Sequence, residues 1–122
     1  METQFSINAE RFKRLSTSGE NNIPLRRLQS LFVRMVALLV IKATELGYEF
    51  TFGDAWAREG HSKSSLHYVR LAVDLNLFKD GNFLTDSDAH IILGEYWESL
   101  GGTWGGRWGD GNHYSLEWRG RK

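Results

Sequence analysis

The strongest constraint on the fold is a long amphipathic segment between Pro24 and Gly47. Apolar side chains recur there at the three-to-four-residue spacing that places them on one face of an α-helix. They are Leu28, Leu31, Phe32, Met35, Val36, Leu39, Val40, Ala43 and Leu46. Pro24 suits the first turn of such a helix, and Gly47 suits its end. Because an apolar stripe has to be covered by other parts of the chain, we expect this helix to pack into the core.

Alternating segments predict a sheet. Tyr48 to Phe52 and Ala72 to Phe78 are predicted strands, and a turn at 79–82 leads to a short strand at Phe83-Leu84. His113 to Trp118 is the predicted last strand. A side chain in a strand points to the face opposite its neighbour. In the two longest strands, Asp74 and His113 therefore lie opposite the apolar side chains, and both are expected on one surface of the sheet.

A second helix is predicted from Asp86 or Ser87 to Leu100, where Gly101-Gly102 ends it. Its inner face is predicted to carry Ala89, Leu93, Tyr96, Trp97 and Leu100. The order of elements predicts an α+β fold with a small, mainly antiparallel sheet and flanking helices. We expect one domain over residues 1–122, with a polar N-terminal extension at 1–22 and a core at 23–118.

Composition narrows the function. The 122 residues include fifteen basic and fifteen acidic side chains, so no strong field favours nucleic acid or an anionic membrane. The apolar run from Met35 to Ile41 is too short to span a bilayer, and Met1 to Gly19 lacks the apolar core of a signal peptide. We therefore expect synthesis in the cytoplasm without a signal peptide, and no stable membrane insertion. Cysteine is absent, so any metal must bind through His, Asp or Glu.

Four residues offer that chemistry. His67 and Asp74 lie at the end of a loop and on the following strand, and Asp110 precedes His113 by three residues. Zinc enzymes that hydrolyse amides need three protein ligands, an open position for water and a nearby acid/base group. At this level an alternative stays open, in which both histidines are ordinary hydrogen-bonded residues and Asp110 is a turn residue between two glycines.

Two motifs in the sequence resemble those of a known family. Ser65 to Asp74 resembles the SxHxxGxAxD signature of VanY-like D-alanyl-D-alanine carboxypeptidases and phage L-alanyl-D-glutamate endopeptidases. Asp110-Gly111-Asn112-His113 resembles their second motif, and Leu71 to Phe78 and Gly94 to Arg107 look like phage members. The similarity covers roughly residues 48–115. It implies the fold of D-Ala-D-Ala peptidases and hedgehog relatives.

The resemblance also implies roles for individual residues. It implies His67, Asp74 and His113 as Zn2+ ligands and Asp110 as the catalytic acid/base. The motif serine is Ser65, which is expected to orient a ligand, contact substrate or satisfy the loop backbone.

The sequence departs from the family pattern at two points. The motif glycine is replaced by Arg70, so either the backbone differs there or Arg70 helps to shape the cleft. Arg58 is the candidate for the arginine with which family members bind a substrate carbonyl or carboxylate.

Other aromatic and basic residues are less informative. His61 and His90 are expected to be solvated. Trp97, Trp104 and Trp108 are candidates to line a glycopeptide groove, although Trp104 and Trp108 equally suit anchoring the glycine-rich loop to the core. The basic C-terminal residues are expected to be solvated, with contact to an anionic wall polymer as the alternative. They are Arg119, Arg121 and Lys122.

The implied function is hydrolysis of the peptidoglycan stem peptide at L-alanyl-D-glutamate, as a phage or prophage endolysin. A D-Ala-D-Ala carboxypeptidase is the alternative enzyme, but it needs a cation for the terminal carboxylate, and the upstream candidate is Arg58 alone. A non-catalytic zinc protein that binds the wall or sits in a virion is the alternative from another class. We expect a monomer that acts on the cell wall, binds no nucleic acid and is released by a separate holin-type pore.

Overall fold

The computed structural model describes residues 23–57, 59–61 and 64–122. The predicted extension at 1–22 and Arg58 lie outside these residues. The described elements are, in chain order, α1 (Leu25–Glu45), β1 (Tyr48–Phe52), β2 (Ala72–Lys79), β3 (Asn82–Leu84), α2 (Ile91–Ser99), β4 (Thr103–Trp104) and β5 (His113–Ser115). Short 3₁₀ helices at Leu66–Val69, Ser87–His90 and Gly105–Trp108 connect them. The predicted α+β class is confirmed.

The helix α1 buries one stripe, as its spacing predicts. The buried side chains are Leu28, Leu31, Phe32, Met35, Leu38, Leu39 and Ala43. Val40 was predicted to share this face but is 39% exposed. At about 100° per residue, Val40 lies about 120° around the axis from Leu28, at the flank of the stripe. Within the described residues, no helix combines the length and apolar character needed to cross a membrane.

The sheet is antiparallel, and β2 is its central strand. The strand order is β1-β2-β5-β4, and β3 also pairs with β2. Residues 75–79 of β2 pair with β1, whereas residues 72–74 pair with β5. Asp74 lies at the point where β2 changes partners, and this is where the sheet provides room for a cleft.

Aromatic side chains join α1, α2 and the sheet. The Trp97 ring on α2 meets Phe32 of α1 edge-on, with 5.7 Å between ring centroids, and meets Tyr114 of β5 at 5.8 Å. The indole N–H of Trp97 donates to the Ser115 carbonyl at 2.9 Å. This packing fixes the position of β5, and with it His113, relative to both helices.

The second helix differs from the prediction at its start. Ser87–His90 forms a 3₁₀ helix, and the α-helix begins at Ile91. His90 was expected to face solvent, and this is wrong: it is 3% exposed, and its Nδ1 lies 2.7 Å from the Tyr114 hydroxyl. His90 lies three residues before Leu93 and seven before Trp97, a spacing that places it on the buried face of the helix.

The last strand is shorter than predicted and ends at Ser115. The chain then folds back through a bridge between Trp118 and Arg121. The returning residues cover the face of β5 that was predicted to be polar and open. As a result, His113 and Ser115 are buried.

Candidate metal centre and active site

The pairing of β2 with β5 places two of the predicted ligands side by side. Asp74 is directly opposite His113 in the register of the two strands. The Nδ1 of His113 lies 3.6 Å from Asp74 Oδ1. Alternation along each strand had predicted that both side chains share a face, and the register adds that they are cross-strand neighbours.

The third predicted ligand reaches the same carboxylate from a loop. Ser65 caps the 3₁₀ helix Leu66–Val69, and its Oγ accepts from the His67 amide at 3.2 Å. His67 is buried, and its Nε2 lies 3.3 Å from Asp74 Oδ1. The cap therefore fixes the backbone from which His67 points towards β2.

These three residues have the geometry of a metal site. One ligand atom from each of His67, Asp74 and His113 lies within 4.8 Å of the others, and the described residues contain no other such group. With metal–ligand bonds of 2.0–2.1 Å, the edge of a tetrahedral zinc site is about 3.3 Å. The 3.3 Å and 3.6 Å separations around Asp74 are close to this value. Two imidazoles and one carboxylate also form a donor set that zinc accepts, so the residues fit the ion.

The electrostatics favour an ionised carboxylate at the centre. Burial by itself raises the pKa of Asp74, but hydrogen bonds and charge from His113 and His67 hold that pKa well below its usual range. Burial lowers the pKa of His113, but hydrogen bonds to Asp74 and the Lys122 carbonyl, with the charges of Asp110 and Asp74, raise it overall. An imidazole binds a metal only without its added proton, so metal affinity at this site would depend on pH.

The cluster opens into a cavity of about 520 Å³. Its lining residues are His61, Ser64, Ser65, Leu66, His67, Asp74, Trp108, Asp110, His113, Gly120, Arg121 and Lys122. Asp110 is exposed and also lines a neighbouring cavity of about 210 Å³. Asp110, the predicted acid/base, therefore lies at the boundary between the two cavities and is accessible from both.

Backbone contacts hold Asp110 beside His113. The Asp110 amide donates to the Gly105 carbonyl at 2.9 Å, and the His113 amide donates to the Asp110 carbonyl at 3.1 Å. A Cβ on Gly105 would collide with the Asp110 carbonyl and the His113 side chain. The turn between Asp110 and His113 thus requires a glycine at position 105.

The predicted substrate-binding residues divide in their placement. Ser65 lines the cavity, while Arg58 lies outside the described residues. Arg70 is not among the described residues that line the cavity, and its guanidinium lies 4.6 Å from the centre of the Trp56 ring. Its backbone is left-handed, with φ 58° and ψ 37°. A glycine suits this conformation, so the chain keeps a glycine-type backbone at the motif position despite the arginine.

Trp104 and Trp108 of the glycine-rich loop differ in role: one anchors the loop to the core, and the other lines the cavity. Trp104 is buried, and its indole N–H donates to the Gly111 carbonyl at 2.8 Å, so it anchors the loop. A Cβ on Gly94 or Gly106 would collide with its ring. Trp108 is 51% exposed, lines the cavity and lies 5.7 Å from the His113 ring.

Sequence reasoning missed His61 as a site residue. Its side chain is 22% exposed rather than solvated, and its Nε2 lies 2.9 Å from Asp54 Oδ2. The ring stacks on His67 with 4.2 Å between centroids. Asp54 and His61 have the same seven-residue separation as His67 and Asp74, but this spacing is too common to have identified a pair.

Sequence reasoning also missed the part played by the C-terminus. Gly120, Arg121 and Lys122 form one wall of the cavity. Lys122 is exposed, as expected of a solvated tail, but its backbone oxygen contacts His113 and Ser115. An Arg-Gly pair is a weak turn signal, so the sequence carried little sign of this return.

Comparison with known proteins agrees with this geometry. A family model described as D-alanyl-D-alanine carboxypeptidase matches residues 58–116, a segment that contains His67, Asp74, Asp110 and His113. No curated protein matches the chain. The matched segment is similar to that family of metallopeptidases, and the fold is consistent with the family. The match does not separate endopeptidases from carboxypeptidases.

Proposed function

We propose that this chain is a zinc-dependent peptidase that cuts the peptidoglycan stem peptide at L-alanyl-D-glutamate, as a phage or prophage endolysin. The observation that carries the proposal is the convergence of His67, Asp74 and His113 on one point of a cavity with Asp110 at its edge. Support for the substrate class comes from the family match over residues 58–116.

In this proposal His67, Asp74 and His113 would hold the ion beside the cavity. Zinc, when bound, supplies Lewis acidity that lowers the pKa of water towards neutrality and polarises a carbonyl. Asp110 takes the proton of the attacking water and passes it to the leaving amine. Its exposure at the boundary of two recesses gives it access to both groups.

The cavity wall offers recognition of a carboxylate beside the cleaved bond. Arg121 and Lys122 are among the residues that line the cavity, so two cationic side chains start from its wall, whereas Arg58 is not described. A D-glutamate linked through its amine and one carboxyl group keeps its other carboxylate free. A terminal D-alanine also carries a carboxylate on the leaving side. These cations therefore suit both substrates. The dependence on Arg58 as a cation for the terminal carboxylate no longer counts against a carboxypeptidase.

A D-Ala-D-Ala carboxypeptidase is accordingly the second candidate. It is favoured by the description of the family model and by the two cations in the cavity wall. A zinc protein that binds the wall without cutting it is the candidate from another class. A carboxylate at position 110 beside the cluster supports an enzyme over that reading.

The deciding experiment is mass spectrometry of purified sacculi after digestion. The endopeptidase releases peptides that begin with D-glutamate and leaves L-alanine on the glycan strands. Free D-alanine as the sole product would establish the carboxypeptidase. Co-sedimentation with sacculi but no new termini, with zinc present, would establish the binding protein. Digestion with a chelator and with Asp110→Asn are the matched controls.

A further inference from the structure

The residues after β5 form a compact turn rather than a loose tail. The Trp118 amide donates to the Arg121 carbonyl at 3.2 Å, and the Arg121 amide donates to the Trp118 carbonyl at 2.9 Å. Between them, Arg119 has φ 51° and Gly120 has φ 76°. Two central residues with positive φ define a type I′ turn, a tight two-residue hairpin connection. The guanidinium groups of Arg119 and Arg121 lie 4.7 Å and 5.2 Å from the centre of the Trp118 ring.

This turn brings the backbone of Lys122 to β5. The Lys122 carbonyl accepts from the Ser115 hydroxyl at 2.8 Å, and it lies 3.1 Å from the Nε2 of His113. His113 and Ser115 alternate with the buried Tyr114 and share one face of the strand. A carbonyl oxygen has two lone pairs and can accept both bonds.

The contact has one chemical consequence for His113. The backbone oxygen of Lys122 cannot donate, so the hydrogen of this bond lies on Nε2 of His113. Nδ1, the other ring nitrogen, lies 3.6 Å from Asp74 Oδ1. A partner on the second nitrogen is the usual means of fixing the tautomer and orientation of a metal-binding histidine.

We infer that the turn of residues 118–122 is a positioning element of the metal centre, in which the Lys122 backbone oxygen accepts from the Nε2–H of His113 and holds the ring with Nδ1 facing Asp74. The inference rests on the proposed metal site for its purpose. It concerns a backbone group, so the side chain at position 122 is dispensable for it. Lys122→Ala should therefore bind zinc as the unchanged protein does.

The chain contains a matched control for breaking the turn. Asp80 and Gly81, between the paired residues Lys79 and Asn82, have φ 53° and 79°, almost the values of Arg119 and Gly120. A Cβ on either glycine meets nothing within 4 Å. Gly120→Val and Gly81→Val thus introduce the same backbone strain without a collision, and Gly81 is not among the described residues that line either cavity.

The first measurement is the affinity for zinc alone, by competition with a chelator. We expect a loss of about 10- to 100-fold in Gly120→Val, the scale for losing such a partner, and a change within about twofold in Gly81→Val. Equal affinities in the two variants would overturn the inference. If Gly120→Val does not fold, the milder pair Gly120→Ala and Gly81→Ala makes the same comparison.

The second measurement needs no metal. In ¹H–¹⁵N spectra of the metal-free protein, an imidazole N–H gives a signal only where a hydrogen bond slows its exchange with water. We expect a signal from the Nε2–H of His113 in the unchanged protein and in Gly81→Val, and its loss in Gly120→Val. Absence of this signal in the unchanged protein would overturn the inference. Failure of the unchanged protein to bind zinc while the signal is present would instead overturn the proposed function.

Discussion

The two histidines of the metal centre are held in place in different ways. His113 lies on β5, faces Asp74 through the strand register, and contacts the Lys122 carbonyl with its second nitrogen. His67 lies on a single 3₁₀ turn that Ser65 caps, and its ring stacks on His61. The Nδ1 of His67 is buried and has no hydrogen-bond partner among the described residues.

This difference indicates which half of the site is fixed and which can adjust. Cross-strand hydrogen bonds and a second-nitrogen partner constrain both the position and the rotation of His113. For His67, the cap constrains the backbone and Nε2 contacts Asp74, but Nδ1 has no partner among the described residues to fix the rotation of the ring. We therefore expect the loop side to adapt around the ion and the strand side to set its position. The following experiments test this contrast, from the largest expected effect to the smallest.

Removing a ligand should abolish zinc binding on either side of the site. His113→Ala and His67→Ala each leave two protein ligands, which is too few for a stable zinc site. We expect one zinc per chain in the unchanged protein and almost none in either variant after dialysis, by elemental analysis. His90→Gln, a change at a buried histidine outside the cluster, should keep its zinc. Full occupancy in His113→Ala would refute the ligand assignment.

Asp110→Asn should separate catalysis from metal binding. The amide keeps the shape of the side chain but cannot take up the proton. We expect zinc to be retained and lysis of sacculi to fall by a factor of about 100 or more, the scale for a lost general base. Turbidity assays at equal zinc content measure this. Near-normal lysis would transfer the role to another group at the cavity, with His61 beside Asp54 as the first to test.

Ser65→Ala should weaken the loop side alone. Loss of a capping side chain costs about 1 kcal/mol of stability, because the His67 amide loses its acceptor. If the loop adapts around the ion, zinc affinity should fall by only about three- to tenfold, less than expected for Gly120→Val. Ser64→Ala, the exposed neighbour in the same loop, is the matched control. A loss in Ser65→Ala as large as in Gly120→Val would show that the two sides are equally constrained.

The pH dependence of stability should reveal a third buried histidine. Burial lowers the pKa of His90 from its ordinary 6.5 to about 4. The unfolded chain therefore takes up a proton first as the pH falls, and the folded state loses stability between about pH 6.5 and pH 4. Two and a half pKa units correspond to about 3 kcal/mol.

Urea unfolding at several pH values measures this loss. His90→Gln offers Tyr114 a polar partner that does not titrate, so it should lack this part of the pH dependence. Other titrating groups, Asp74 included, contribute equally to the pH dependence of the unchanged protein and of His90→Gln. Identical slopes from pH 6.5 to 4 would show that His90 does not titrate as expected.

The periodicity of apolar residues predicted the main helices and strands, because an element that buries one face must repeat apolar side chains on that face. The bounds predicted for β1 are those observed, and α1 differs only at the margins of its stripe. Alternation also placed Asp74 and His113 on one face. Alternation could not predict which residue of β5 lies opposite Asp74. That register depends on which segments of β2 pair with β1, β3 and β5.

The missed features have different origins. His90 lies three residues before Leu93 and seven before Trp97, so helical spacing already places it on the buried face, and its polarity misled the prediction. The Lys122 backbone reaches His113 because Arg119 adopts a positive φ, which arginine seldom does. Residue type alone does not predict that conformation.

The exchange of partners along β2 has a consequence for the order of folding. Residues 77–79 pair with β3 across a two-residue turn, whereas residues 72–74 must find β5 about forty residues later in the chain. Closing a long loop lowers the entropy more than closing a short one, so the distant pairing forms later. Pulse-labelled hydrogen exchange should therefore protect amides near Phe83 before those near Tyr114. A metal ion would then meet His67, Asp74 and His113 only in a nearly native chain, so its binding would slow unfolding rather than guide collapse.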